Sequence, residues 1–386
     1  MTATADQFIV HPASAPAPGR RAAPHRGDTS MIAMLARMAT QSGAPPSRLL
    51  GEFAGLSFGP GKLAFSDYAR LRLFDEAFWA GVDKKSIVGE RRAREIAETL
   101  NGGHDGGSLG ANNRLAANAY LEAFGFPVPA TLAVFARGVA APARTLLRSR
   151  GELRQFLACE APYPLFAAPM AGRSRAAGPL RGCDVDAGVL ERLDGRRLAL
   201  DDFIDQVSEH DRFIFQKLIA PEVSVAALVG PRLTQVRVVT LAGEQGPRIL
   251  RACWSLPPGE ARGGRGTGDL LAQLDLRTGA VLRVTRGFGP DLEEVTRHPQ
   301  TGGRLIGARV PDWDALKATA VEAARALGPM AMIGWTIAPS TAGPVILRLT
   351  AAPDLGMHQL ADRRGLLDLD FLAMMTARRH AAAREA

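Results

Sequence analysis

The chain has 386 residues, 46% hydrophobic and 22% charged, with a formal net charge of +8, which is enough for two or three packed units with a sizeable core. Its three cysteines (Cys159, Cys183, Cys253) lie far apart and its seven histidines form no HExxH pair, which excludes a disulfide framework and the common zinc motifs and favours a reducing cytoplasm. The positive charge hints at an anionic partner, but it is arginine scattered through an Ala/Gly/Pro-rich chain with 6% aromatic residues and no dense basic run, so a nucleic-acid platform is disfavoured.

Residues 1–28, rich in Pro, Ala and Arg without a continuous apolar stretch, read as a disordered tail rather than a secretory signal. No run of 18 apolar residues follows, so no membrane span is expected. The segment 29–105 reads as a helical region. "TSMIAMLARMATQSG" has a Thr/Ser start, apolar spacing of three and four, and a Gly stop. "SDYARLRLFDEAFW" starts on Ser66 as N-cap, and "SIVGERRAREIAETLNGG" ends on Asn-Gly-Gly. The Gly-rich stretch 101–113 is a linker or exposed loop.

Beyond it, "NRLAANAYLEAFGFPVPATLAVF" predicts a helix, a stop at Gly125, a Pro-Val-Pro turn and an apolar strand. "PLFAAPMAGRSRAAG" predicts a short strand and a Gly/Ser/Arg loop. "DRFIFQKLI", "QVRVVTLAG" and "RILRACWSL" are strands, and "DWDALKATAVEAARAL" is a helix started by Asp312 or Asp314. "MIGWTIAPSTAGPVILRLT" is a hairpin joined by Pro-Ser-Thr-Ala-Gly, and a closing helix runs into a charged tail at 376–386. No internal repeat is present, and the fold class is α+β. Within "PVILRLTAAPDLG", read as a strand and a turn, Val345, Leu347 and Leu349 share one face while Ile346, Arg348 and Thr350 share the other.

The segments "FGPGKLAFSDYARLRLFD", "IVGERRAREIAETLN", "NRLAANAYLEAFGFPVPATLAVF", "QVRVVTL", "DLRTGAV", "HPQTGGRLIGARVPDW" and "GWTIAPSTAGPVILRLTAAPDLG" follow one another at compatible spacing. As an ordered set they resemble the sugar-transfer-associated ATP-grasp proteins, relatives of α-L-glutamate-ligase-like ATP-grasp enzymes, over roughly residues 45–375. The resemblance implies an ATP-grasp fold after an N-terminal helical region: a lobe with the glycine loop at 106–220 and a C-terminal lobe at 221–375. It also implies a grip on magnesium-ATP and a sugar-transfer or surface-polysaccharide context.

Several residues depart from what the resemblance implies. Ala168 stands in "FAAP" where relatives carry a phosphate-holding lysine. Thr336 in "GWT", Arg348 and Thr350 in "LRLT" stand where relatives place Asp, Glu and Asn around magnesium, and Lys217 replaces an acid after Gln216. Two like unit charges about 4 Å apart cost on the order of 4 kcal/mol at an effective dielectric near 20, and a divalent ion beside Arg348 roughly doubles that. Magnesium is therefore disfavoured. ATP, if bound, is expected to bind without metal.

A set of candidates for binding nucleotide or another small anion remains. Arg237 matches the family's strand arginine, Arg173 and Arg175 lie on the glycine loop with Gly172, Gln216 stays in the hinge, and Arg114 stands where relatives often carry Lys. Arg348 completes the set, with two plainer readings beside it: a side chain reaching solvent, or a pair with Asp354. No catalytic residue is assigned. His298 reads as turn chemistry, His104 as exposed, Trp254 and Trp335 as core, and the cysteines as buried small hydrophobes.

Three functions compete. The first is a degenerate ATP-grasp protein that has lost ligase chemistry and binds or regulates, with a protein partner as a further option. The alternative is an active ATP-dependent carboxylate-amine or related ligase with ligands relocated to Asp354, Asp269 or Glu260. The third is a basic module for nucleic acid or polysaccharide.

Overall fold

The structure, a computed structural model, describes residues 31–102, 114–136, 145–170, 176–258, 270–328, 330–369 and 371–376. The tails expected at 1–28 and beyond 376, His104 and the loop residues Gly172, Arg173 and Arg175 lie outside the described residues, as do Glu260 and Asp269.

Helices α1 (Met31–Ser42), α2 (Pro46–Ser57), α3 (Phe65–Arg70) and α4 (Glu90–Leu100) come first. Next are α5 (Arg114–Ala123), β1 (Thr131–Ala136), β2 (Leu146–Leu147), α6 (Arg150–Gln155) and β3 (Leu165–Pro169). A hairpin segment with β4 (Gly178–Asp184), β5 (Val189–Arg192) and β6 (Arg197–Ala199) leads to α7 (Leu200–Ser208), β7 (Arg212–Lys217) and α8 (Val223–Val229). The long strands β8 (Gln235–Gly243) and β9 (Gly246–Leu256) precede β10 (Leu270–Leu274), β11 (Val281–Arg286) and β12 (Glu293–Glu294). The chain closes with α9 (Trp313–Ala326), β13 (Met332–Ser340), β14 (Gly343–Thr350) and α10 (Leu355–Asp362), followed by helical residues 371–376. The α+β class expected from the sequence is what the chain adopts.

The chain divides into two compact units. The first holds the described residues of 106–235 and 336–349. Its sheet runs β2-β1-β7-β3-β4-β5-β6. The unbroken apolar runs of β1, β3 and β7 fit strands covered on both faces. Leu165, Ala167, Phe213 and Phe215 pack on one face with Leu153, Phe203 and Val207 from α6 and α7. Phe166, Ala168 and Ile214 pack on the other with Leu115 of α5. Gly125 ends the α5 segment at φ 80°, a left-handed conformation that other residues adopt only under strain.

The second unit holds the described residues of 23–105, 236–335 and 350–386. The second sheet runs β12-β11-β10-β9-β8-β13-β14. The helical region packs into this unit: Met38, Leu49, Leu63 and Tyr68 form one cluster with Cys253, Leu271, Leu292 and Leu360. Helix α4 buries Ala93, Ile96, Ala97 and Leu100, an i, i+3, i+4, i+7 stripe, against Val239, Leu241 and Leu355.

Two buried amides stitch these helices in place. Asn101, just past α4, donates from Nδ2 to the carbonyls of Met332 and Ala351, and its Oδ1 accepts from Met332 N–H at 2.9 Å. Gln359 acts like a strand neighbour of Val88. Its Oε1 accepts from Val88 N–H at 2.9 Å and Leu366 N–H at 3.0 Å, while Nε2 donates to Val88 O at 3.0 Å.

Four local expectations are corrected. Ser66 is not the N-cap of α3, which starts one residue earlier behind Ala64, whose N–H donates to the buried Asp67 carboxylate at 3.1 Å. The stretch after Thr350 is a turn only as far as Pro353, because Asp354 caps α10 by accepting from Met357 N–H at 3.3 Å. The hairpin loop is shorter than expected, since Pro339 and Ser340 belong to β13. Of the cysteines only Cys253 is buried; Cys159 is exposed and Cys183 half-buried.

Gln359→Leu strands the Val88 N–H and C=O and the Leu366 N–H without replacing them. It is expected to cost roughly 2–4 kcal/mol of unfolding free energy. Urea unfolding of the two proteins reads that difference directly.

Candidate anion-binding site

In the first unit, Val345 and Leu347 of β14 pack with Leu233, Ala338 and Ile219. Alternation therefore puts Arg348 on the opposite face with Ile346, whose N–H donates to Pro127 O at 2.8 Å just after α5. Arg114 is the first residue of α5. Burial pushes its guanidinium down to about 10, and the charge of Arg348 pushes the same way. Two like charges thus share a half-buried neighbourhood. Arg114 also stands at the helix end where the backbone dipole favours an anion over a cation. An oxyanion there offsets both penalties.

The other candidates of this unit have structural surroundings. Gln216 is 3% exposed and donates from Nε2 to Pro129 O at 3.3 Å, tying β7 to the Pro-Val-Pro turn. Ala168 is fully buried among Leu115, Ile214 and Phe166. A lysine there would need its ammonium carried through apolar packing. Lys217 is exposed, and Thr336 is half-buried on β13.

In the second unit, Arg237 shares a face of β8 with Val239 and Leu241, which pack against Leu355 of α10. On β9, Arg251 and Cys253 share the face over which α10 lies, with Cys253 packed beside Leu360 and Ala361. On α10 itself, Asp354, His358 and Asp362 follow at i, i+4 and i+8 and form one stripe. Arg251 closes one end: Nη1 donates to Asp362 at 3.1 Å, and Nη2 donates to Asp368 at 3.1 Å and Gly365 O at 2.8 Å.

Asp354 closes the other end. Its Oδ2 accepts from Arg70 Nη1 at 3.4 Å. A Cβ added to Gly356 would lie 2.5 Å from the Arg70 guanidinium, so the arginine rests directly on the first turn of α10. Burial raises the Asp354 carboxyl, but Arg70, the Met357 N–H and Arg237 outweigh it and hold it below the usual carboxylate range. Within its own unit Asp354 is thus engaged by Arg70.

Between these ends sit Arg237 and His358. Arg237 makes no ion pair among the described residues, and its Nε is buried without an acceptor. His358 is 3% exposed with Nδ1 unpartnered. Burial pulls its imidazole down to about 3, with Arg237 and Arg251 adding to the shift and Asp354 opposing it. It is a neutral ring at physiological pH.

Arg70 and His358 were not among the residues singled out by sequence. The signal for His358 was present in the Asp-x-x-x-His-x-x-x-Asp spacing of 354–362, but it has meaning only once that segment is a helix. His298, by contrast, is a turn residue: Nδ1 accepts from Thr301 N–H at 3.2 Å, which leaves Nε2 to donate to Pro257 O at 2.7 Å. Trp335 is core, its Nε1 donating to Thr240 Oγ1 at 2.9 Å, and Trp254 is fully buried.

A magnesium ion needs several hard oxygen ligands, usually with carboxylates among them. In the second unit Thr350 offers a hydroxyl, and Asp354 is engaged by Arg70 and its own helix. The methyl group of Thr350 packs close to Gly334, where an added Cβ would lie 2.9 Å from Thr350 Cγ2 and 2.7 Å from Pro353. Among the described residues no three His, Cys, Asp or Glu side chains gather as a metal-holding group.

Because the unfolded chain protonates His358 near 6.5 and the folded chain only near 3, its contribution to stability is complete above pH 6.5 and is lost as pH falls toward 3. The loss reaches about 2 kcal/mol by pH 5. His358→Gln is expected to flatten that part of the profile, measured by denaturant unfolding between pH 7.5 and 4.5.

Among solved structures, the chain is similar to an L-amino acid ligase from Bacillus licheniformis at 12% identity and a TM-score of 0.34, covering 65% of this chain and 42% of that one. It is also similar to the D-alanine-D-alanine ligase from Coxiella burnetii at 10% identity and a TM-score of 0.37, covering 72% of this chain and 60% of that one. A third is the D-alanine–D-alanine ligase from Bacillus anthracis complexed with ATP, at 11% identity and a TM-score of 0.38, covering 74% and 70%. The chain thus spans well under two thirds of the first of these ligases. No curated protein matches it significantly. Among the described residues no helix is long and apolar enough to cross a membrane. The sugar-transfer associated ATP-grasp family matches residues 112–372, and the chain belongs to that family.

Proposed function

We propose that this protein is an ATP-grasp family member that recognises an anionic ligand, a nucleotide foremost, through guanidinium groups and without a divalent metal. It acts as a binding or regulatory protein rather than as a magnesium-ATP ligase. The observation that carries this reading is Arg348, a cation on the β14 face where the family resemblance leads one to expect a metal-binding acid, sharing its neighbourhood with Arg114. Planar guanidinium forks match phosphate and carboxylate oxygens in pairs and hold them without metal. The buried Ala168 and the engaged Asp354 support the same reading, because each removes a part that magnesium-dependent phosphate handling uses. The family's description supports a sugar-transfer setting for this binding, with a protein or saccharide partner to relay it.

The test is thermal unfolding of the full chain with ATP and with ADP, each with and without magnesium. Ligand that binds only the folded state at 100 times its dissociation constant adds about 2.7 kcal/mol of stability. A rise in melting temperature that does not need magnesium is expected, and Arg348→Ala is expected to remove most of it. A shift that appears only with magnesium overturns the proposal in favour of an active ligase.

A further inference from the structure

Two of the three cysteines lie on one layer of the first unit. In the β4–β5 pairing Cys183 stands opposite Leu190, and cross-strand partners share a face. Leu190 belongs to the cluster that joins Leu153, Phe156 and Leu157 to the sheet, and Cys183 packs against that same cluster. Cys183 is therefore on the covered face of β4, half-buried. Helix α6 runs on into a π turn, Phe156–Glu160, closed by Ala161 N–H donating to Phe156 O at 2.8 Å. Phe156 and Leu157 anchor the turn in the cluster, whereas Cys159 and Glu160 end it exposed.

The turn lies on β4, with Cα atoms within 8 Å of those of the strand. A disulfide needs about 4.4–6.8 Å between its two Cα atoms. Cys159 stands at the exposed end of the turn, so closing that difference disturbs no core packing. Tyr163 holds the turn in place: its ring packs on the cluster, and its hydroxyl donates to Leu157 O at 2.9 Å. Burial raises the Cys183 thiol, and the charges of Asp184 and Cys159 raise it further, so the two sulfurs are within electrostatic reach of each other.

We infer that Cys159 and Cys183 form a reversible disulfide, a redox modification site that pins the π turn to β4. The two thiols have different roles. Cys159 is exposed and meets the oxidant, a small-molecule disulfide such as oxidised glutathione. Its thiolate attacks one sulfur, forms a mixed disulfide and releases the first glutathione, which takes up the proton that Cys159 gave up. Cys183, kept as a thiol by burial, then loses its proton and attacks the Cys159 sulfur, releasing the second glutathione. Two protein thiols are oxidised, one glutathione disulfide is reduced to two thiols, and no other electron carrier is needed. Cys253 takes no part, being fully buried in the second unit.

The experiment incubates the full chain, reduced and then freed of reductant, with oxidised glutathione. Remaining thiols are trapped with N-ethylmaleimide under denaturing conditions, and intact and peptide masses are read. The expected product is a monomer that has lost two hydrogens, carries a single maleimide on Cys253 and yields a peptide joining Cys159 to Cys183; dithiothreitol reverses the link. Cys183→Ala is expected to stop at a glutathione adduct on Cys159, and Cys159→Ser to slow oxidation of Cys183 at least roughly tenfold. Should either variant fail to fold, the wild-type peptide map alone decides. Arg348→Ala is expected to bridge as the wild type does, so this result and the nucleotide response stand or fall separately. A wild-type protein that stops at the Cys159 adduct, joins two chains through Cys159, or leaves both thiols open to alkylation overturns the inference.

Discussion

The ion pair between Arg70 and Asp354 is the constraint on which the candidate site depends. Asp354 does two jobs with one carboxylate: it starts α10 by accepting from Met357 N–H, and it holds the guanidinium that lies on Gly356. Without the cap, α10 would begin with an unsatisfied amide. Without Arg70, a carboxylate pressed toward neutrality by burial would face Arg237 and could serve as a ligand for a cation. The pair settles both questions and fixes the direction in which the stripe Asp354–His358–Asp362 meets the sheet.

Arg70 comes from the N-terminal helical region, which packs into the second unit through two apolar clusters and is held there by Asn101 and Gln359. The amides are the informative part of that packing. Apolar contacts tolerate sliding, whereas Gln359 satisfies both backbone groups of Val88 and the Leu366 N–H and therefore specifies one position. The helical region thus belongs to the unit that carries Arg237 and His358.

Much of the fold was readable residue by residue. The i, i+3, i+4, i+7 stripe of α4, the unbroken apolar runs of β1, β3 and β7, and the Gly125 stop each express a local rule strong enough to survive in the folded chain. The corrected elements lacked such dominance. The start of α3 moved because a buried Asp67 accepts from Ala64 N–H, a preference no propensity scale assigns to alanine. Helix α10 was hidden behind Pro353 and Gly356, residues that usually mark turns. Of the candidate residues, Arg237 could be singled out through the family resemblance, and Arg348 through the resemblance and the alternation of its strand. Arg70 and His358 could not: Arg70 and its partner Asp354 stand 284 positions apart, with no local pattern linking them.

By itself, then, the sequence determined the α+β class, the family, most of the strands, and the residue types, Thr336, Arg348 and Ala168, that those strands carry. Those are properties of residue type and local periodicity, and they hold wherever the chain goes. Only the tertiary structure decided what the remaining charges face. It buried Ala168 among leucine, isoleucine and phenylalanine, gave Asp354 to Arg70, closed Arg251 with two aspartates, and left Arg237 beside a neutral histidine. Electrostatic roles depend on distance and burial, and both arise from packing between segments far apart in the chain.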